Sequence, residues 1–189
     1  MWGELIAESF RRPRAAARRL LALDPPTTEI WVAAVMVACL ETVVLQLAFR
    51  MNPAELAAVF GSEPMPPLLS LVEQLVVLAV AALVTARIGT LFGGKGTLKG
   101  SALVVLWISF LSALFPLAAV VLMALSPLFA GILALASVFW ALWAFASFVA
   151  ELHGFRRLLP VMFGVVATWV ILVFGLSMLF AILGPQEGS

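Results

Sequence analysis

Residues 30–49 read IWVAAVMVACLETVVLQLAF, twenty positions with Glu41 as their only charged side chain. A helix needs roughly 20 apolar residues to cross a bilayer, so this stretch is long enough to span. The segment before it ends at Asp24-Pro25-Pro26. A secretory leader would place its apolar run close behind a basic start and follow it with a small-residue cleavage site. The run is therefore expected to remain as a first transmembrane helix.

Downstream the pattern repeats. Further spans are expected at residues 68–85, 102–124, 128–150 and 161–183. The breaks between them are polar or proline-marked. Arg50 to Pro67 holds four prolines and two glutamates, and Ala86 to Gly100 holds Arg87, Lys95 and Lys99 among five glycines. Leu125 to Pro127 is a tight turn, and Glu151 to Pro160 carries His153, Arg156 and Arg157. Of the 189 residues 64% are hydrophobic and 11% charged, with a mean hydropathy of +1.16, which a soluble fold could not hide. The fold class is thus all-α: a five-helix membrane bundle over residues 26–184, preceded by an amphipathic interfacial segment at 1–25 and followed by a short tail at 185–189.

Five of the eleven basic residues, Arg11, Arg12, Arg14, Arg18 and Arg19, fall in the first nineteen positions. With the N-terminus in the cytoplasm, ten of the eleven lie on that side and Arg50 alone lies outside, as the positive-inside rule requires. Between these arginines Trp2, Leu5, Ile6, Phe10, Leu20, Leu21 and Leu23 recur at roughly helical spacing, as in a helix lying on anionic lipid, with Pro13 dividing it into two pieces. The five arginines, together with Lys95, Lys99, Arg156 and Arg157, are the candidate contacts for anionic lipid, a membrane-protein partner or a second copy of the chain. No nucleic-acid partner and no cofactor is expected.

Inside the spans, Ala130, Ala134, Ser137 and Ala141 form a strip of small residues that lets helix backbones approach, and Gly164, Thr168 and Gly175 serve the last span similarly. Pro116 should bend the third span. Glu41 sits near the middle of the first, on a face shared with Ala34, Ala38, Leu45 and Ala48, so it points at a helix contact and not at lipid. It reads either as a proton- or substrate-coordinating carboxylate or as a neutral acid hydrogen-bonded to a neighbouring helix. Glu73 and Gln74 lie within reach of Arg50 if that side chain snorkels, which makes an interfacial pair the ordinary account. Glu41 and Glu73 differ in depth by roughly 6 Å, so they share a site only if their helices tilt.

Gly89-Thr-Leu-Phe-Gly93-Gly94-Lys95-Gly96 has the spacing of a phosphate-binding loop up to its lysine, but glycine stands where the magnesium-binding Ser or Thr belongs and the segment follows a membrane helix. A flexible basic loop is the expectation. His153 is the single histidine, with no second imidazole or thiol cluster to complete a metal site, and interfacial hydrogen bonding is its expected role. Cys39, the single cysteine, reads as core filler.

Phe92-Gly-Gly-Lys-Gly-Thr-Leu-Lys-Gly100 entering the third span, the five-span layout, and Glu151-Leu-His-Gly-Phe155 before the last span together resemble the bacterial branch of the Yip family, over about residues 25–183. The resemblance implies a five-helix membrane domain with a cytoplasmic N-terminus. Its eukaryotic members are linked to Rab GTPases and vesicle traffic, but their Asp-Leu-x-Gly-Pro motif is absent here. Two function classes follow. One is a non-catalytic scaffold or adaptor in a bacterial inner membrane, using the basic segments as contact surfaces. The other is a small transporter or lipid-moving protein in which Glu41, helped by Glu73 and the Pro116 bend, lines a polar path. An enzyme is not expected, since no nucleophile and base pair or metal cluster is visible.

Overall fold

The computed structural model describes residues 2–51 and 65–183. Seven helices are found there: α1 (Trp2–Arg11), α2 (Pro13–Leu21), α3 (Thr27–Met51), α4 (Pro67–Leu91), α5 (Leu98–Leu125), α6 (Pro127–His153) and α7 (Leu158–Leu183). Most of the expected loop between the first two spans and the tail at 185–189 lie outside the described residues, as does the packing around Gly175. Four helices, α3 to α6, are long and apolar enough to cross a membrane, and α7 carries a further apolar stretch over Leu158–Leu172.

Each helix begins or ends for a local reason. Pro13 starts α2 at a position where its missing N–H costs nothing. Pro67 and Pro127 do the same for α4 and α6. The Thr97 hydroxyl caps α5 by accepting the Gly100 N–H at 3.1 Å. A single extended residue, Ser126, joins α5 to α6. Gly154 ends α6 in the left-handed region (φ 75°), and the Phe155 N–H turns back to the Ala150 carbonyl at 2.7 Å. The helices outrun the expected spans: α4 continues to Leu91, past Thr85, because backbone hydrogen bonding does not stop where the hydrocarbon does.

α5 is the centre of the bundle. Its Val105 and Leu106 pack with Ile30, Val37 and Ala38 of α3 and with Leu78 and Ala82 of α4. Its Val104 and Ile108 face the other way, into a second cluster with Ala144 and Phe148 of α6 and with Leu5, Ala16, Ala17 and Leu20. The N-terminal segment is therefore docked against α5 and α6 through fully or nearly fully buried side chains, where its spacing alone suggested a helix resting on lipid. The small-residue strip of α6 is packed only in part: Ala130 is buried, Ala134 is exposed, and Ser137 and Ala141 are half-buried. The small residues buried together are Ala144, Ala146, Ser147 and Ala150, nearer His153, where both α2 and α5 pack on α6.

Candidate functional site

The two segments that carry the family resemblance meet in space, around His153. His153 is 3% exposed. Its Nδ1 accepts the Gly96 N–H at 3.1 Å, so the proton of the neutral imidazole is on Nε2, which donates to the Thr85 carbonyl at 3.2 Å. The Lys95 N–H reaches the His153 carbonyl at 3.3 Å, and the Gly94 N–H reaches the Gly89 carbonyl at 2.9 Å. Gly89, Gly94 and Gly96 form the cradle: a Cβ at any of them would collide with His153. The glycines expected to make a flexible loop instead make room for one ring, and the ring pins the loop. A phosphate cradle is not built here, because the imidazole fills it.

Around this knot the basic residues assemble from three parts of the chain. Arg14 of α2 donates to the carbonyls of Phe155 and Arg156 at 3.1 and 3.2 Å. Arg18 pairs with Glu151 at 3.4 Å, and Lys99 pairs with Asp24 at 2.6 Å. Arg19 binds Glu8 at 2.8 Å and Glu4 at 3.6 Å within the N-terminal hairpin. The Glu8 hydrogen bond, and then its charge, hold the Arg19 guanidinium above its ordinary pKa. These pairs are exposed and each contributes little stability on its own. Arg156, Arg157 and the Lys95 side chain are exposed, and no carboxylate pairs with them among the described residues. Arg11 and Arg12 are exposed at the α1–α2 junction.

The hairpin is held by aromatic contacts as well. The Trp107 Nε1–H donates to the buried Ser9 hydroxyl at 3.0 Å, and Phe10 stacks on Trp140 with ring centroids 4.5 Å apart. Sequence alone offers no role for Ser9, and it gives Asp24 and Glu151 only as parts of a proline-marked break and a loop motif. Their partners are 75 to 133 residues away, and only the fold reveals them.

The intramembrane polar residues do not join this site. Glu41 is half-buried on the face of α3 that carries Ala34 and Ala38, and it faces the Ser109 hydroxyl of α5. Glu73 is exposed and Gln74 partly buried on α4. Among the described residues, Arg50 forms no ion pair with Glu73, so the expected interfacial pair is not made. It is Gln46 that ties this end together, donating to the Met65 carbonyl at 2.9 Å.

Two cavities border the basic end. One, of about 690 Å3, lies between α4, α6 and α7 and has Arg156 and Arg157 at its rim. The other, of about 260 Å3, lies beside Asp24, Lys95 and Lys99. No group of His, Cys, Asp and Glu among the described residues could hold a metal ion. No curated protein and no solved structure matches the chain. A family model does match: the Yip1 domain, over residues 7–179, which takes in α2 to α6, both loop motifs and the His153 knot. The chain is an integral membrane protein and belongs to the Yip1 domain family.

Proposed function

We propose that this protein is a non-catalytic membrane scaffold that presents a rigid basic face to the cytoplasm. In this reading α7 is a fifth span, the N-terminus is cytoplasmic, the C-terminus lies opposite, and the membrane is a bacterial inner membrane. The supporting observation is that the Gly-rich loop closes on the buried His153 while Arg14 of α2 bonds to the Phe155 and Arg156 carbonyls just beyond it, which brings cations from three segments to one end. Rigid presentation of charge suits recognition of an acidic partner or an anionic surface, since little ordering entropy is lost on contact. Transport through Glu41 has less support, because neither cavity at the basic end is lined by that carboxylate.

Gentle purification from native membranes, with mass spectrometry of what accompanies the chain, separates the two. A stoichiometric protein partner that is lost when Arg14, Lys95 and Lys99 are changed to Gln is the expected result. A chain that arrives alone, and whose Glu41→Gln variant loses proton-driven uptake in liposomes, would replace the scaffold with a transporter.

A further inference from the structure

The larger cleft has a composition of its own. α7 packs on α6, and the space left between α7 and α4 is this cleft. Its walls are apolar, with Val84, Ile88, Val149 and Val165 among them. The Thr168 hydroxyl is turned onto its own helix, donating to the Gly164 carbonyl at 2.7 Å, and so offers the cleft no unpaired donor. From Ala81 of α4 to its C-cap residue Phe92 the wall covers twelve residues, eleven helical steps, about 16 Å at the rise of a helix. One leaflet's share of the roughly 30 Å hydrocarbon core is about 15 Å.

The basic end of the cleft is different. Arg156 and Arg157 stand there exposed. The acidic residue of that turn, Glu151, is engaged by Arg18. Arg14, outside the cleft lining, holds the turn in place by bonding to its carbonyls. A slot as deep as one leaflet, apolar along its length and cationic at its mouth, complements an acyl chain attached to a phosphate. The apolar runs 102–124, 128–150 and 161–183 hold no carboxylate, so a helix of that kind from a second copy would leave both guanidiniums unanswered.

We propose that this cleft binds one anionic glycerophospholipid of the cytoplasmic leaflet, with an acyl chain between α4, α6 and α7 and the phosphate on Arg156 and Arg157. The leaflet assignment rests on the cytoplasmic placement of this end given above; the binding itself does not.

Native mass spectrometry of the full chain, released from micelles containing equal phosphatidylglycerol and phosphatidylcholine, tests it irrespective of sidedness. One retained phosphatidylglycerol per chain is expected, with Arg156→Gln and Arg157→Gln each lowering its retention about fivefold. Gly164→Phe supplies the second arm. A Cβ there meets nothing within 4 Å, so the ring can enter the slot without a backbone clash, and retention should be lost with both arginines intact. Equal retention of the two lipids, full retention by Gly164→Phe, competition by inorganic phosphate as strong as by the lipid, or a lipid-free dimer as the main species would each overturn the proposal. If the lipid binds but impermeant thiol reagents find this end outside the cell, only the leaflet is wrong.

Discussion

At the scale of single residues, His153 and its three glycines form a lock whose parts are meaningless apart. His153→Ala would strand the Gly96 N–H and remove a donor from Thr85, at a cost on the order of 2 to 4 kcal/mol if both groups stay dry. Thermal unfolding in detergent should register that loss, and hydrogen exchange should rise over residues 93–97. Gly89→Ala should be similarly damaging, since its methyl would occupy the space of the imidazole. In the His153→Ala background the same methyl has somewhere to go, so the two losses should be strongly less than additive. Additive losses would mean that the cradle is incidental.

At the scale of elements, the docking of α1 and α2 separates a structural part from a mere membrane float. Leu20 is 1% exposed, and Leu20→Ala should cost about 2 to 4 kcal/mol. A helix that only rests on lipid would lose far less. Differential scanning with a reporter on α1 would tell, the expected result being that α1 and the bundle unfold together. This docking also marks where the sequence stops being readable. α3 to α6 are legible because hydrocarbon thickness imposes length and apolarity on each helix separately. The partner of an amphipathic face is not, because lipid and the flank of a helix bundle accept the same pattern of leucine and alanine. Likewise the basic residues were identifiable one by one, but Arg14, Arg18 and Lys99 acquire their roles from Phe155, Glu151 and Asp24, which only tertiary contact supplies. Helical spacing puts Glu41 on the face of α3 that carries Ala34 and Ala38, where it meets Ser109, while reach alone permits an Arg50 partner for Glu73 that packing does not deliver.

At the scale of the whole molecule, the five crossings proposed above predict a sidedness that single cysteines can read. In a Cys39→Ser background, Thr27→Cys should react with an impermeant maleimide from the cytoplasmic face only, and both Met65→Cys and Ser189→Cys from the opposite face only. Labelling of the last two from different sides would mean that α7 does not cross. The joint at Ser126 bears on how such a topology arises. α5 and α6 have their basic ends together, where Gly96 meets His153, and the far end of the pair is only Leu125, Ser126 and Pro127. To thread this hairpin through a bilayer, the cell has to move three uncharged residues across the hydrocarbon and nothing more. With the basic end cytoplasmic, as proposed above, the central pair of helices meets a low barrier to entry as a unit, and both of its charged anchors stay on the side where the chain was made.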